Sequence, residues 1–208
     1  MKEFLIKGEN SIGKSLFAKK LAQKLSDNNK IIIIEFERSP KENIEDYFDM
    51  AGMISYDIAD HFLNYTNLNR LIKKACDNID IIISPFVKDK YEIKKQDIEK
   101  LIKELDSYDI GIFIGLEEAF LNQCRTIEII SENQVDKNIN SDFYFINKCT
   151  KEFDPRVYKE LLEAKPSKYL GFVRENETFD HILDNLINNS EEKIEKIGFF
   201  EKIRMKFK

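Results

Sequence analysis

Eight residues near the N-terminus have the types and spacing of a phosphate-binding loop. Residues 8–15 read Gly-Glu-Asn-Ser-Ile-Gly-Lys-Ser and fit the pattern G-x-x-x-x-G-K-[ST]. Glycines let the backbone curl until successive N–H groups point at an anion, and the next helix adds its positive N-terminal end. In this pattern Lys14 reaches the β- and γ-phosphates, and the Ser15 hydroxyl faces Mg²⁺. The predicted nucleotide-binding residues of this segment are Gly8, Glu9, Asn10, Ser11, Ile12, Gly13, Lys14, Ser15 and Leu16.

The residues on either side of this loop indicate the elements that hold it. Residues 3–6 are Glu-Phe-Leu-Ile, which is typical of a buried strand, and apolar residues recur at helical spacing between Leu16 and Leu25. The order is therefore strand, loop, helix. This context favours a ligand-binding loop over a glycine-rich turn without a ligand.

The remainder of the chain predicts an α/β fold. Continuous β-branched runs such as Ile31–Ile34 are typical of strands covered on both faces. Further strands are predicted at 80–84, 110–115, 126–131, 143–147 and 169–173, and helices at 43–50, 58–62, 68–75, 98–105 and 154–166. Residues 132–142 are too few for a full crossover helix. The prediction is a predominantly parallel sheet flanked by helices on both faces, the P-loop NTPase fold, with a C-terminal amphipathic helix.

Composition restricts the function classes. The 208 residues are 42% hydrophobic, enough for one core, and we predict a nucleotide-binding domain over 1–188. A net charge of −5 argues against a nucleic-acid partner. Cys76, Cys124 and Cys149 lack C-x-x-C spacing, which favours reduced thiols over disulfides or zinc ligands. No apolar run reaches the roughly 20 residues that span a bilayer.

The sequence resembles the MinD/ParA family of P-loop ATPases over nearly its whole length. The resemblance rests on the loop at 8–15, on Ile32-Ile33-Ile34-Glu35-Phe36-Glu37 where the family has I-D-x-D, and on Tyr108-Asp109 before a strand. It also rests on Ile146-Asn147-Lys148 followed by residues 168–173, Lys-Tyr-Leu-Gly-Phe-Val, where the family reads N-x…L-G-x-I-P.

The resemblance implies ATP or ADP with Mg²⁺ as cofactors and a homodimer. It implies that Asn147 lies near the adenine base, against the alternative of a residue that turns the chain at a strand end. It implies catalytic roles for Lys14, Glu35 and Glu37, and Mg²⁺ ligation by Ser15 and Glu37. A Glu in place of the family's Asp is longer by one methylene and keeps its oxygen ligands.

Two departures from the family pattern concern hydrolysis. The family's signature lysine, which reaches the partner's nucleotide across the dimer, is Glu9 here, and the acidic residue at the end of the fourth strand is Gly115. Phosphoryl transfer depends on a well-held Mg²⁺ and on positioning. We therefore expect these changes to weaken hydrolysis before they weaken nucleotide binding.

The last 20 residues, 189–208, form a predicted basic tail. Within them 193–208 carry a charge of +4, whereas the rest of the chain carries −9. Apolar residues recur at helical spacing with lysines on the other face, as in an interfacial membrane helix and as in the C-terminal targeting helix of MinD. The predicted membrane residues are Ile197, Phe200, Lys202, Ile203, Arg204 and Phe207. A helix packed on the domain and a helix that binds an acidic protein are the open alternatives.

The leading hypothesis is a cytoplasmic MinD/ParA-like ATP-binding protein with weak or no ATPase activity. It would act as a positioning or scaffolding factor, in cell division, pilus or flagellum placement or DNA partition, recruited to the inner face of the cell membrane. A protein partner of unknown identity is part of this hypothesis. An active P-loop enzyme, such as a small-molecule kinase or a synthetase, is one alternative. A nucleotide-free interaction protein with a vestigial loop is the other.

Overall fold

The computed structural model describes residues 1–198. They form two compact units, one of residues 1–129 and one that begins at Ile130.

The first unit alternates strands and helices. Its strands are β1 (Lys2–Gly8), β2 (Ile31–Glu35), β3 (Lys73–Cys76), β4 (Ile79–Ile82), β5 (Ile110–Ile114) and β6 (Arg125–Ile130). Its helices are α1 (Lys14–Leu25), α2 (Ile44–Tyr47), α3 (Ile58–Phe62), α4 (Leu68–Leu71) and α5 (Lys95–Glu104), and Glu118–Phe120 form a 3₁₀ turn.

These strands lie in the order β3-β4-β2-β5-β1-β6. Within that order β1 pairs with β5 and β6, and β2 pairs with β4 and β5, all in parallel, whereas β3 pairs with β4 in the antiparallel sense. Parallel pairing brings the carboxyl ends of β1, β2 and β5 to one edge, where ligands bind in such sheets. The predicted predominantly parallel sheet is confirmed.

Helices cover both faces of these strands. Ile32 and Ile34 of β2 share one cluster of buried side chains with Ile98 and Leu101 of α5. Successive side chains of a strand point to opposite faces, and α1 packs against β1, β2 and β5. All five residues of β2 are buried, so the isoleucine run predicted the environment of the strand correctly.

The predicted helix over 68–75 is wrong in its second half. Helix α4 ends at Leu71, and the chain continues as strand β3. Its backbone turns at Asn78, whose φ is +60°, and pairs with β4. Pairing with a neighbouring strand therefore overrode the local helical spacing in this short segment.

The second unit contains two parallel strands, β7 (Phe143–Cys149) and β8 (Lys168–Arg174). Between them lie a 3₁₀ turn (Pro155–Tyr158) and α6 (Lys159–Glu163), and α7 (Asp180–Ile187) packs on β8. The Asp154 side chain accepts a hydrogen bond from the Arg156 N–H and so caps the start of the 3₁₀ turn. The short connection before β7 contains only a 3₁₀ turn, Glu132–Gln134, in agreement with the missing crossover helix.

The predicted C-terminal helix is present as α7, but it lies before the predicted start at residue 189. Residues 191–198 contain no helix, so the predicted tail helix is wrong over 193–198. There the backbone N–H of Glu192 donates to Tyr169 O of β8 at 2.8 Å, and Lys159 Nζ donates to Ile194 O. Ile194 is only 8% exposed and packs in a cluster with Leu162 and Tyr169, because an apolar stripe serves a core as well as a membrane.

Two findings bear on the membrane hypothesis. In the part of the chain that the structure describes, no helix has the length and apolar character needed to cross a bilayer. The remainder of the predicted tail, with Phe200, Lys202, Ile203, Arg204 and Phe207, lies outside the described residues.

The burial of Ile194 generates a first prediction. Ile194→Ala should lower the free energy of unfolding by about 2 kcal/mol or more, since it removes buried methyl groups and leaves a cavity. Lys196→Ala serves as the control, because the Lys196 side chain is exposed and lies two residues from Ile194. It should change the free energy of unfolding by less than about 0.5 kcal/mol. Urea unfolding followed by circular dichroism measures both. Equal stability of the two variants would show that residue 194 is not part of the core.

Candidate functional site

The loop between β1 and α1 starts with a close approach of two backbones. Gly8 has a φ of +141°, and a Cβ atom on it would lie 2.6 Å from Ile129 O of the neighbouring strand β6. Only glycine fits there without moving backbone. Helix α1 then begins behind Gly13, which has no side chain to cap the first N–H groups of the helix. The curled loop and this helix end together have the form of an anion cradle.

The Lys14 ammonium binds backbone carbonyl groups of its own loop. Lys14 Nζ donates to Gly8 O at 2.8 Å and to Glu9 O at 3.1 Å, and it lies 3.5 Å from Glu37 Oε2. An ammonium group has three donors, and these three oxygens match them in number. Lys14 is only 8% exposed, so its charge is held at the mouth of the loop rather than in bulk water.

Ser15 contacts a buried carboxylate. Its Oγ donates to Glu35 Oε1 at 2.5 Å, and Glu35 is 1% exposed at the end of β2. The other oxygen, Glu35 Oε2, accepts from the Ile44 N–H at 3.3 Å and from Ser84 Oγ at 3.4 Å. Arg38 lies next to this group, within 3.5 Å of Ser84 Oγ and 2.6 Å from Glu45 Oε1.

Burial dominates the acidity of Glu35. Removal of the carboxylate from water raises the pKa of Glu35 from 4.5 to about 7, and the hydrogen bonds from Ser15 and Ile44 oppose this rise to a smaller extent. Glu45 raises the pKa further and Arg38 lowers it. Glu35 is therefore a carboxyl group that takes up and releases its proton near neutral pH.

Glu37 lies over Gly115 at the end of β5. A Cβ atom on residue 115 would be 2.5 Å from Glu37 Cβ and 3.3 Å from Glu37 Oε2, and Gly115 has a φ of +71°. The Glu37 side chain is half-exposed, and its free end reaches Lys14. Gly115, which has no side chain, thus leaves the space that Glu37 fills.

These residues fit a nucleotide phosphate with Mg²⁺. The cradle at Gly8 has no room for a side chain, the Lys14 ammonium lies at its mouth, and a hydroxyl and a carboxylate oxygen lie together at Ser15 and Glu35. Backbone N–H groups and an ammonium suit phosphate, and hard oxygen donors suit Mg²⁺. Of the two predicted carboxylates, the one that touches Ser15 is Glu35.

Comparison with solved structures finds close agreement of fold. A plasmid partition protein from Borrelia burgdorferi superimposes with a TM-score of 0.69 at 20% identity, over 90% of this chain and 98% of that one. A plasmid partition protein from Borrelia burgdorferi B31 bound to AMPPNP gives 0.68 at 18% identity, with 90% and 98% covered. The septum site-determining protein MinD complexed with Mg-ADP from Pyrococcus horikoshii gives 0.63 at 13% identity, with 88% and 85% covered.

The chain has the MinD/ParA fold. No protein-family model matches the sequence, and no curated protein sequence matches it either. The similarity in three-dimensional structure therefore confirms the predicted P-loop NTPase fold of the MinD/ParA type. The sequence identities, 13 to 20%, establish the fold and no more.

Within the MinD/ParA fold the other predicted residues lie as follows. Glu9 and Asn10 are exposed at the tip of the loop, whereas Ser11 and Leu16 are half-buried. Asn147 is 5% exposed and lies inside β7 of the second unit, not in a turn at the strand end. Its predicted contact with an adenine base stays a prediction.

Sequence reasoning missed the partners of Glu35. Ser84 lies two residues after the end of β4, Arg38 lies three residues after the end of β2, and Ile44 is the first residue of α2. Because the carboxyl ends of parallel strands meet at one edge, the position of Ser84 was a usable signal. The contact of the Ile44 N–H with Glu35 was not predictable, because no sequence feature indicates the path of the loop before α2.

The raised pKa of Glu35 generates a second prediction, for protein in EDTA. The folded chain keeps the Glu35 proton up to about pH 7, whereas the unfolded chain loses it near 4.5. Rising pH over this window therefore destabilises the wild type, by up to about 3 kcal/mol. Glu35→Gln cannot ionise and should lack this loss. Urea unfolding at pH 5 and pH 8 measures the difference.

Glu175→Gln controls for the removal of one carboxylate, because residue 175 is exposed in the second unit. It should follow the wild-type pH dependence. Parallel pH dependences of the wild type and Glu35→Gln would contradict the assignment.

Proposed function

We propose that the chain is a MinD/ParA-like ATP-binding protein that uses ATP or ADP with Mg²⁺. The observation that carries this proposal is the placement of Lys14 at the mouth of a loop whose first residue admits no side chain. Gly8 to Leu16 bind the phosphates through backbone N–H groups, and Lys14 neutralises their charge. Asn147 is the proposed contact for the adenine base.

The two carboxylates at the end of β2 and just beyond it have different roles toward Mg²⁺ in this proposal. Ser15 is the direct ligand, and Glu35 orients its hydroxyl through the 2.5 Å hydrogen bond. Glu37 is a further Mg²⁺ ligand in the bound state, as the family resemblance implies. Bound Mg²⁺ would neutralise charge on the transferring phosphoryl group. The chain's own residues position the phosphates and exclude bulk water from one side.

We expect hydrolysis to be weak. Glu9 carries a negative charge where the family has a lysine, and Gly115 has no side chain to help hold the Mg²⁺ shell. Transition-state stabilisation in phosphoryl transfer depends on such positioned charges. Binding relies mainly on the loop backbone and Lys14, which are intact.

The cellular role that fits is a cytoplasmic positioning or scaffolding factor that works as a dimer at the inner face of the membrane. The structures of similar fold include plasmid partition proteins and a septum site-determining protein, MinD. Residues 199–208 contain Phe200, Ile203 and Phe207 among basic residues, which suits an anionic lipid surface. A protein partner completes this proposal.

Nucleotide binding is the third prediction. Lys14→Ala should weaken ATP binding at least about tenfold, because the phosphates lose their main counter-charge. Lys20→Ala removes an exposed lysine from the same helix and serves as the matched control. Titration calorimetry measures affinity, and phosphate release from the same samples should stay below about 1 per second. Absence of wild-type binding at millimolar Mg-ATP would favour the vestigial-loop alternative, and faster turnover would favour an active enzyme.

Membrane recruitment is the fourth prediction. The full chain should co-sediment with anionic vesicles, less so as salt screens the basic residues. A chain that ends at residue 198 keeps Ile194 in its core and should stay in the supernatant. Phe200→Glu should also abolish sedimentation, and ATP should increase sedimentation over ADP if a dimer presents two tails. Equal sedimentation of the full and shortened chains would refute the membrane role.

A further inference from the structure

Glu37 and Lys14 form a contact that a phosphate must break. Lys14 has three donors, and its three oxygen neighbours are the backbone carbonyls of Gly8 and Glu9 and the Glu37 carboxylate. The two carbonyls belong to the loop itself and carry no net charge. Among the three, Glu37 is the anionic partner, with Oε2 3.5 Å from Lys14 Nζ.

We propose that Glu37 is a latch on the phosphate-binding loop, a built-in carboxylate that competes with nucleotide phosphate for Lys14 and so sets the affinity of the site. The inference rests on the proposed nucleotide binding. In the absence of Mg²⁺, the Glu37 carboxylate, two residues beyond β2, lowers the affinity of the loop for phosphate groups that bind Lys14.

Gly115 makes this latch possible. With any side chain at residue 115, the Cβ atom would come within 2.5 Å of Glu37 Cβ, so Glu37 could not keep its present path. The Phe36 N–H also donates to Ile114 O at 2.9 Å, which fixes the backbone just before Glu37 alongside β5. The side chain therefore starts from a fixed point and extends over the glycine to Lys14.

Removal of the Glu37 charge should change ATP affinity moderately, because solvent partly screens the ion pair. Lys14 is 8% exposed and Glu37 is 47% exposed, so solvent screens one end of the ion pair. A bound phosphate must replace this pair and must also approach the Glu37 carboxylate, and both terms oppose binding. Loss of the latch should therefore tighten nucleotide binding by about three- to tenfold.

The test uses the full chain in EDTA, where no Mg²⁺ role of Glu37 can contribute. ATP affinity is measured by titration calorimetry for the wild type, Glu37→Gln and Glu37→Asp. Glu37→Gln should bind ATP about three- to tenfold more tightly. Glu37→Asp keeps the charge but withdraws it by one methylene from a contact that is already 3.5 Å long, so it should also bind more tightly.

Glu118→Gln is the matched control, because Glu118 pairs with Lys7, a lysine just before the loop, at 3.0 Å. It should leave ATP affinity within about twofold of the wild type. Unchanged or weaker binding by Glu37→Gln would overturn the latch and leave the proposed function standing. An aspartate variant that matches the wild type would also overturn it, in favour of a general electrostatic effect. Absence of ATP binding by every variant in EDTA would overturn the latch, whereas absence of wild-type binding at millimolar Mg-ATP as well would overturn the proposed function.

Discussion

The close passage of Gly8 against β6 is the constraint on which the site depends. With a Cβ position only 2.6 Å from Ile129 O, the chain can leave β1 at this point only as glycine. The Gly8 carbonyl also accepts a hydrogen bond from the Lys14 ammonium at 2.8 Å. This bond connects the first residue of α1 to the last residue of β1. Strand, loop and helix are fixed to one another by one steric limit and one charged hydrogen bond.

The end of β2 attaches to this loop through two carboxylates of different character. Glu35 is buried and contacts Ser15, whereas Glu37 is half-exposed and contacts Lys14. Glu35 is the last residue of β2, and Glu37 follows it where the chain bends, so this short stretch reaches two consecutive residues at the start of α1. Burial gives Glu35 a pKa of about 7, so its charge varies near neutral pH. The two glutamates are therefore not interchangeable, although the sequence pattern treats them as a pair.

Sequence patterns predicted the parts of this molecule that depend on local composition. Apolar runs such as Ile31–Ile34 located buried strands, and the loop pattern located the curled loop before α1, because both are properties of contiguous residues. Contacts between distant residues were not predictable in this way. Strand β3 exists because it pairs with β4, and Ile194 is buried because it meets Leu162 and Tyr169. Periodicity alone does not say whether an apolar stripe meets a core or a membrane.

Gly115 shows how the absence of a side chain at one position affects the neighbouring residues of a site. Compared with the family pattern, position 115 lacks a carboxylate, and this absence suggests weaker hydrolysis. In three dimensions the vacated volume is filled by Glu37 from the adjacent strand end, with a carboxylate oxygen 3.3 Å from where a Cβ would stand. Glu37 already matches the second aspartate of the family's I-D-x-D, so this chain has one carboxylate fewer here than the family pattern. The carboxylate that remains extends from a segment beyond β2 and is half-exposed. Catalysis depends on ångström-level positioning and binding on the presence of charge, so we expect a difference of this kind to affect hydrolysis more than nucleotide binding.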